Sequence, residues 1–417
     1  MSERIGVDRP LHLRNNRLIL YFLSTYKSRT EGLRFGPLFG VILFMDVYWE
    51  QFKTPFLCFA GFSGVGKTTL LERLIKRFTE EETRVGYYKH DAHRFEIDRE
   101  GKDTARTARA GAGIITINDP RHFAIVADNA FKKRSITHAL EQCDCILIEG
   151  YKNSPFDKIV FLDAEGQLPV PPETPAIKAV IHQGLTGEGL PDVPRFHRDD
   201  IESIYQFVRG HFKRQESELY GAVFVGGQSK RMGKPKFSLS YNGISETERL
   251  IQVLQKFCSK VVLSSRADLD MDTLGNLANI ERINDDHTGL GPVGGLATLM
   301  SRFPKKAWLI TACDMPFLDE QNIETIVEAR DPLRYGTCYM QKGGIGTEPM
   351  CAIYEPKFIL PLFEAMSCRE LSPTRIISEL PFKHVKIHEP DRNNFMNVNT
   401  PEEYEVARSQ REQEPLP

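Results

Sequence analysis

Two glycine-and-lysine loops constrain this chain more than any other feature. Residues 61–68 read Gly-Phe-Ser-Gly-Val-Gly-Lys-Thr, and residues 226–236 read Gly-Gly-Gln-Ser-Lys-Arg-Met-Gly-Lys-Pro-Lys. Each follows a short apolar run suited to a buried strand. They lie about 165 residues apart, roughly one domain's length. Strand, glycine turn and helix in succession predict an α/β fold with two three-layer α/β/α domains.

The chain of 417 residues is long enough for two separate cores. Its formal charge of −2, with 26% charged residues, gives no reason to expect nucleic acid as a partner. The eight cysteines include no CxxC pair, which argues against structural zinc, and their scatter reads as reduced and cytosolic. Cys143 and Cys145 flank Asp144 and read as small core residues at a strand start. The apolar stretch Phe35 to Met45 is too short to span a bilayer and too deep for a usual signal peptide. No membrane association or targeting segment is expected.

Residues 1–52 precede the first recognisable strand. They form an extension that is an added helix and hairpin, a flexible arm, or sequence upstream of a start at Met45. Residues 53–212 form the first domain. Pro55 to Ala60, Arg84 to Tyr88, Cys145 to Ile148, Ile159 to Leu162 and Ala176 to Ile181 read as strands of a mostly parallel sheet. Leu70, Leu71, Leu74, Ile75 and Phe78 share one helical face. Residues 213–219 are a linker, and residues 220–412 the second domain. There Tyr220 to Val225, Lys260 to Ser264 and Ala307 to Thr311 read as strands. Thr400, Pro401 and Glu403 predict a capped helix start.

Gly61, Gly66, Lys67 and Thr68 satisfy the phosphate-binding P-loop pattern, and Ser63, Gly64, Val65 and Thr69 complete the loop. Its glycines let N–H groups turn toward phosphate oxygens. Lys67 would hold the β/γ-phosphates and Thr68 would place its hydroxyl on Mg²⁺. Glu149 ends a buried strand, where a P-loop protein organises Mg²⁺ or its water. No Asn-Lys-x-Asp element is present, so base identity does not follow from these residues. In the second loop the amides after Val225, at Gly226 and Gly227, suit triphosphate oxygens, with Arg231 and Lys236 as neutralising cations. Asp314 follows a buried strand at the sheet's carboxyl edge and is the expected Mg²⁺ ligand. Cations, amides and a metal carboxylate together form a phosphoryl-transfer set. Asp285 precedes the glycine loop 289–295, which suits either close ligand approach or a plain turn.

Residues 55–210 resemble the molybdopterin-guanine dinucleotide biosynthesis protein B family, the GTP-binding adapters. The resemblance rests on Gly61–Thr69, Tyr88–His93 with Phe95 and Asp98, Gly101–Thr104, Arg106, Ala110–Ala112, Ile148–Lys152 and Lys158. It implies GTP, Mg²⁺, weak hydrolysis and a role assisting a transferase. Residues 218–410 resemble the molybdenum cofactor guanylyltransferases, with a Rossmann-like nucleotidyltransferase fold. That likeness rests on Gly226–Gly233 with Lys236, Gly289–Pro292 with Gly295, Cys313–Phe317 and Asn397–Glu402. It implies that Lys236 contacts the triphosphate, Asp314 binds Mg²⁺, Asp285 belongs to the nucleotide site, and Asn397 and Asn399 lie near the pterin phosphate. The family's usual Leu-Ala-Gly-Gly opening is Phe224-Val225-Gly226-Gly227 here. Ser264 and Ser265 stand where relatives often carry Asn as a base or ribose contact.

The combined expectation is a fusion, adapter first, that transfers GMP from GTP to molybdopterin and releases pyrophosphate. Its implied partners are molybdopterin synthesis and insertion proteins and acceptor molybdoenzymes. A short flexible linker would hold the domains near each other at an effective concentration on the order of millimolar. The rivals are a cytidylyltransferase on the same pterin, a sugar-phosphate nucleotidyltransferase, and a non-catalytic carrier whose P-loop times cofactor release.

Overall fold

The apolar run before the first loop forms β1 (Phe56–Ala60), and the leucine-rich stretch after it forms helix α1 (Lys67–Glu80). This computed structural model describes residues 53–90, 106–107, 110–120, 123–127, 132–184, 189–226, 231–233, 235–266, 277, 279–340, 346–387 and 393–412. The extension 1–52, the motif residues His93, Phe95, Asp98 and 101–104, and Gly227 lie outside them.

In chain order β2 (Val85–Lys89), the hairpin of β3 (Ile114–Asn118) and β4 (Phe123–Ala127), α2 (Lys132–Glu141) and β5 (Cys145–Glu149) follow. Then come β6 (Lys158–Phe161), β7 (Ile177–His182), β8 (Arg195–His197) and α3 (Ile201–Arg214). The first sheet has the order β2-β5-β1-β6-β7-β8, with every pair parallel. All five residues of β5 are buried, as expected of a parallel strand covered on both faces. On α1 the side chains Leu70, Leu71, Leu74 and Phe78 are buried and Ile75 is half-buried.

The second half begins with β9 (Leu219–Phe224), the small hairpin of β10 (Ser240–Tyr241) and β11 (Ile244–Ser245), and α4 (Glu246–Leu254). It continues through β12 (Lys260–Ser265), β13 (Arg282–Asn284), α5 (Pro292–Arg302), β14 (Ala307–Ala312) and α6 (Glu320–Glu328). It ends with β15 (Gly336–Met340), β16 (Thr347–Tyr354), α7 (Ile359–Ser367), α8 (Pro373–Ser378), β17 (Lys383–Lys386) and α9 (Pro401–Arg411). The sheet order is β13-β12-β9-β14-β16-β15-β17. Strands β9, β12, β13 and β14 pair in parallel, while β16 runs antiparallel to both β14 and β15. The antiparallel intrusion was not expected from the sequence: Pro349 and Glu348 break the apolar run that marks the other strands.

Between α3 and β9 only residues 215–218 remain. Arg330 donates from Nη2 to the Ser217 carbonyl at 2.7 Å, pairs with Glu216, and pairs through Nε with Glu355 at 2.6 Å. Lys306 pairs with Glu218. The join is a clamped turn rather than a free tether.

A second contact fixes the halves. Leu333 packs into the core of the first sheet's α1 face. Arg334 donates to the carbonyls of Glu82 (3.0 Å) and Glu81 (3.1 Å) at the carboxyl end of α1. Lys357 reaches fully buried Asp144 at 3.2 Å. Asp144 precedes β5, so this seam touches the amino edge of the first sheet. On the other side, Leu333 and Arg334 precede β15 and Lys357 follows β16, both at the edge opposite the ends of β9 and β14. The two glycine loops lie at the carboxyl ends of β1 and β9 and therefore open away from the seam.

Candidate nucleotide sites

The first loop is built by φ angles that favour glycine. Gly66 sits at φ +88° as the cap of α1, with Gly64 at +79°. No acidic side chain occupies the first turn of α1, so its N–H groups and dipole face the loop. Lys67 curls back over it, donating to the carbonyls of Phe62 at 2.7 Å and Gly61 at 3.3 Å. Burial draws the Lys67 pKa below the ordinary lysine value; Glu149 opposes that shift and Lys89 adds to it. Ser63, Gly64, Thr68 and Thr69 are exposed, and Val65 is buried beneath them.

The structure brings Thr68 and Glu149 together across 81 residues: the hydroxyl donates to Glu149 Oε2 at 2.9 Å. Tyr87 donates to the same oxygen at 2.8 Å, and Lys89 pairs with Oε1 at 3.6 Å. Burial and that hydrogen bond both raise the Tyr87 pKa. Sequence reasoning missed Tyr87 because a tyrosine on a strand carries no motif. Beyond Glu149, buried Lys158 donates to the carbonyls of Lys152 (3.1 Å) and Ser154 (2.5 Å), fastening the turn that follows the carboxylate. His90 stacks on Tyr151 with ring centroids 4.3 Å apart, a packed loop histidine.

In the second half a cleft of about 710 Å³ opens at the carboxyl ends of the strands. Two of its lining residues, Lys236 and Asp314, form a triangle with Asn399. Lys236 Nζ donates to Asp314 Oδ2 at 2.8 Å and to Asn399 Oδ1 at 2.7 Å. Local structure positions each corner. Asp314 follows the wholly buried β14, and its carbonyl accepts the Val398 N–H at 2.8 Å. Thr400 and Glu403 form the expected capping box on α9, and Glu403 Oε2 also accepts the Asn399 N–H at 2.6 Å. The cap that starts the helix thus fixes Asn399 beside the lysine.

On one side of the triangle the cleft is walled by Gly226, Ser264, Ser265, Arg266, Asp285 and the turn around Gly289. Gly291 and Pro292 open α5 onto it, and its first turn carries no acidic residue. Gly295 allows close packing here: a Cβ would stand 2.9 Å from Phe224 and 3.0 Å from Ser264 Oγ, so a neighbour would have to shift. Asp285 Oδ1 accepts from the His287 N–H at 2.7 Å and the Thr298 hydroxyl at 3.1 Å, so this carboxylate shapes the turn as well as lining the cleft. Ser265 Oγ accepts from Arg282 Nε at 2.5 Å. On the other side stand Met350 and Asn397. Val225 is buried under the loop, and Arg231 is exposed and does not line the cleft. Glu348, not singled out from the sequence, is buried two residues before Met350 on β16. Burial pushes its carboxyl up to about 7, with the Asp314 charge adding to the shift.

Both sites suit Mg²⁺, which takes one or two protein oxygens and completes its shell with phosphates and water. Thr68 and Glu149 offer such a pair in the first, and Asp314 a single carboxylate in the second. Among the described residues no cluster of three His, Cys, Asp or Glu side chains could hold a metal by itself. No helix among them is long and apolar enough to cross a membrane, and all eight cysteines are free thiols.

A P-loop on a parallel sheet, joined to a mixed sheet whose lysine and aspartate meet at its carboxyl edge, defines a nucleotide-binding module fused to a nucleotidyltransferase-type domain. Residues 56–183 match the family described as molybdopterin guanine dinucleotide synthesis protein B, and residues 221–383 match the MobA-like NTP transferase domain. Over 134 residues the chain is 34% identical to the molybdopterin-guanine dinucleotide biosynthesis adapter protein of Haemophilus influenzae, covering 31% of this chain and 75% of that one. It is 27% identical over 188 residues to a probable molybdenum cofactor guanylyltransferase of Bacillus cytotoxicus (44% and 93%). It is 30% identical over 191 residues to a molybdenum cofactor biosynthesis bifunctional protein of Synechocystis (45% and 53%), and so spans about half the length of that relative. The chain belongs to the molybdopterin guanine dinucleotide synthesis protein B family through its first half and carries a MobA-like NTP transferase domain in its second.

Proposed function

We propose that the second half transfers GMP from GTP to molybdopterin, forming molybdopterin guanine dinucleotide and pyrophosphate, and that the first half is a GTP-binding adapter with weak GTPase activity. The observation that carries this reading is the Lys236–Asp314–Asn399 triangle, whose lysine and aspartate line the cleft. An oxygen of the pterin's terminal phosphate attacks the α-phosphorus of GTP. The bond between the α-phosphorus and the bridging oxygen to the β-phosphate breaks, and pyrophosphate leaves with that electron pair. Positioning and charge neutralisation suffice for such a step. The wall formed by Gly226, Ser265, Asp285 and the start of α5 is assigned to the nucleotide, since helix and loop amides there suit phosphates. The side with Met350 and Asn397 is assigned to the pterin. Lys236 steadies the phosphate charge, while Asn399 holds the lysine in register. Mg²⁺ on Asp314 supplies further charge neutralisation when bound; in the first half, Thr68 and Glu149 would hold it. Guanine is preferred to cytosine on the strength of the relatives' descriptions alone.

The test is incubation of the full chain with molybdopterin, Mg²⁺ and either GTP or CTP, with products identified by mass. The guanine dinucleotide is expected; preferential cytosine dinucleotide formation would remove the guanylyl assignment. In the Lys67→Ala chain, GTP binding at the first loop is expected to vanish while dinucleotide formation persists, as measured by nucleotide titration beside product assay. Loss of both would mean that the labour is divided differently.

A further inference from the structure

Among the described residues one arginine beside the first loop stands without a partner. Arg198 lies in the turn between β8 and α3, and its guanidinium Nη1 is 3.7 Å from where a Cβ on Gly66 would stand. That guanidinium makes no hydrogen bond or ion pair with any described residue. Its neighbours are all engaged: Lys67 on loop carbonyls, Lys89 on Glu149, and Arg73 on Asp199. An exposed arginine is ordinarily just solvated, but the backbone that carries this one is held in place. Its own N–H donates to the His182 carbonyl at the end of β7 (3.0 Å). The next residue, Asp199, is gripped twice by Arg73 of α1, through its carboxylate and its carbonyl, each at 3.3 Å. Asp200 then caps α3 by accepting the Ser203 N–H at 3.2 Å. The turn is fastened to β7, α1 and α3 at once, which leaves the arginine against the mouth of the loop. Gln183, following β7, donates to the Val65 carbonyl at 3.3 Å and braces the same rim.

We propose that Arg198 is a phosphate-binding cation of the first loop, supplied in cis from the turn after β8. The inference rests on the reading that this loop binds a nucleoside triphosphate. The chemistry fits the gap left by the motif. A triphosphate carrying Mg²⁺ and facing Lys67 still bears net negative charge, and the planar guanidinium fork matches phosphate oxygens. No residue of the P-loop pattern supplies it.

The experiment is titration of the full chain with GTP at several salt concentrations, taking the first-loop component as the difference from Lys67→Ala. Arg198→Ala is expected to weaken that component by about tenfold or more, a typical loss for a charged hydrogen bond, and to flatten its salt dependence. Arg198→Lys is expected to recover part of both. The side chain is exposed, and an unchanged unfolding midpoint would establish that the variant is folded. Unchanged affinity in Arg198→Ala overturns the proposal, as does a weakened affinity with native salt dependence, which would mark a contact to base or ribose instead. If the native chain and Lys67→Ala titrate alike, the loop binds no triphosphate, and the underlying reading fails together with the proposal.

Discussion

Asp314→Ala is expected to reduce dinucleotide formation by roughly a thousandfold or more, the scale on which removal of a preorganised charge-stabilising group acts, while leaving the fold intact. The fold survives because β14 ends before the carboxylate. The backbone of Asp314 stays pinned by the Val398 N–H, and its side chain is on the cleft surface rather than in the core. The chemistry fails for two reasons. The proposed Mg²⁺ site would lose its carboxylate, and Lys236 loses the Asp314 oxygen that aims it while its bond to Asn399 remains. Asp314→Asn separates these effects: an amide oxygen can still accept from Lys236, but it brings no negative charge to a cation. If Asn behaves like Ala, metal binding dominates; if Asn retains most turnover, aiming the lysine does. Product assay with varied Mg²⁺ reads both. Native turnover in Asp314→Ala would remove Asp314 from the transfer machinery, whereas no turnover in the native chain would favour the carrier reading, in which the second half only holds finished cofactor.

How much of this site was legible in the sequence depends on the range over which each part is encoded. The glycine loops, the strands before them and the cap of α9 are local patterns, and β1, β5, β9 and β14 lie within a residue or two of where the apolar runs place them. Asp314 and Lys236 were identifiable as separate corners. Their contact spans 78 residues and the one to Asn399 spans 163, so no periodicity announces the triangle. The resemblance implies that Asn399 lies near the pterin phosphate; the structure adds that its side chain accepts from Lys236. Tyr87 and Glu348 were invisible for the same reason: each matters through a neighbour brought in by sheet pairing. Asp144 is the sharpest case. On sequence alone its flanking cysteines read as core residues at a strand start and Asp144 has no role, whereas the structure holds its buried carboxylate between Arg84 of the same half and Lys357 and Arg334 of the other.

That carboxylate makes the second large prediction. Asp144 is fully buried and receives Lys357 at 3.2 Å, Arg84 at 3.2 Å and Arg334 at 3.6 Å. Arg84 is half exposed, so solvent screens its share. Lys357 is enclosed, and among the described residues its one further hydrogen-bond partner is the Leu333 carbonyl, at 2.5 Å. Asp144→Ala strands this ammonium in the seam and is expected to cost about 3–5 kcal/mol, the usual penalty for orphaning a buried charge. Adding Lys357→Met removes the orphan with little change in volume, so the double variant is expected to be more stable than Asp144→Ala alone. Chemical denaturation of the three full-length chains checks this order. A double variant less stable than Asp144→Ala would show that the pair is not the seam's controlling contact. The pH dependence has a definite sign. Burial lowers the Lys357 pKa, and Asp144 opposes that shift. Without Asp144 the folded pKa falls further below the unfolded one, so the unfolded chain binds more protons and stability rises with pH. The deficit of Asp144→Ala should therefore shrink as pH climbs toward the ordinary lysine value and deepen as pH falls through the lowered one. Because this seam joins the edges opposite the two glycine loops, it is, beside the clamped join at 215–218, one described route by which the first site can influence the second. The single and double variants, assayed for dinucleotide formation with and without Lys67→Ala, would measure that influence as a departure from additivity.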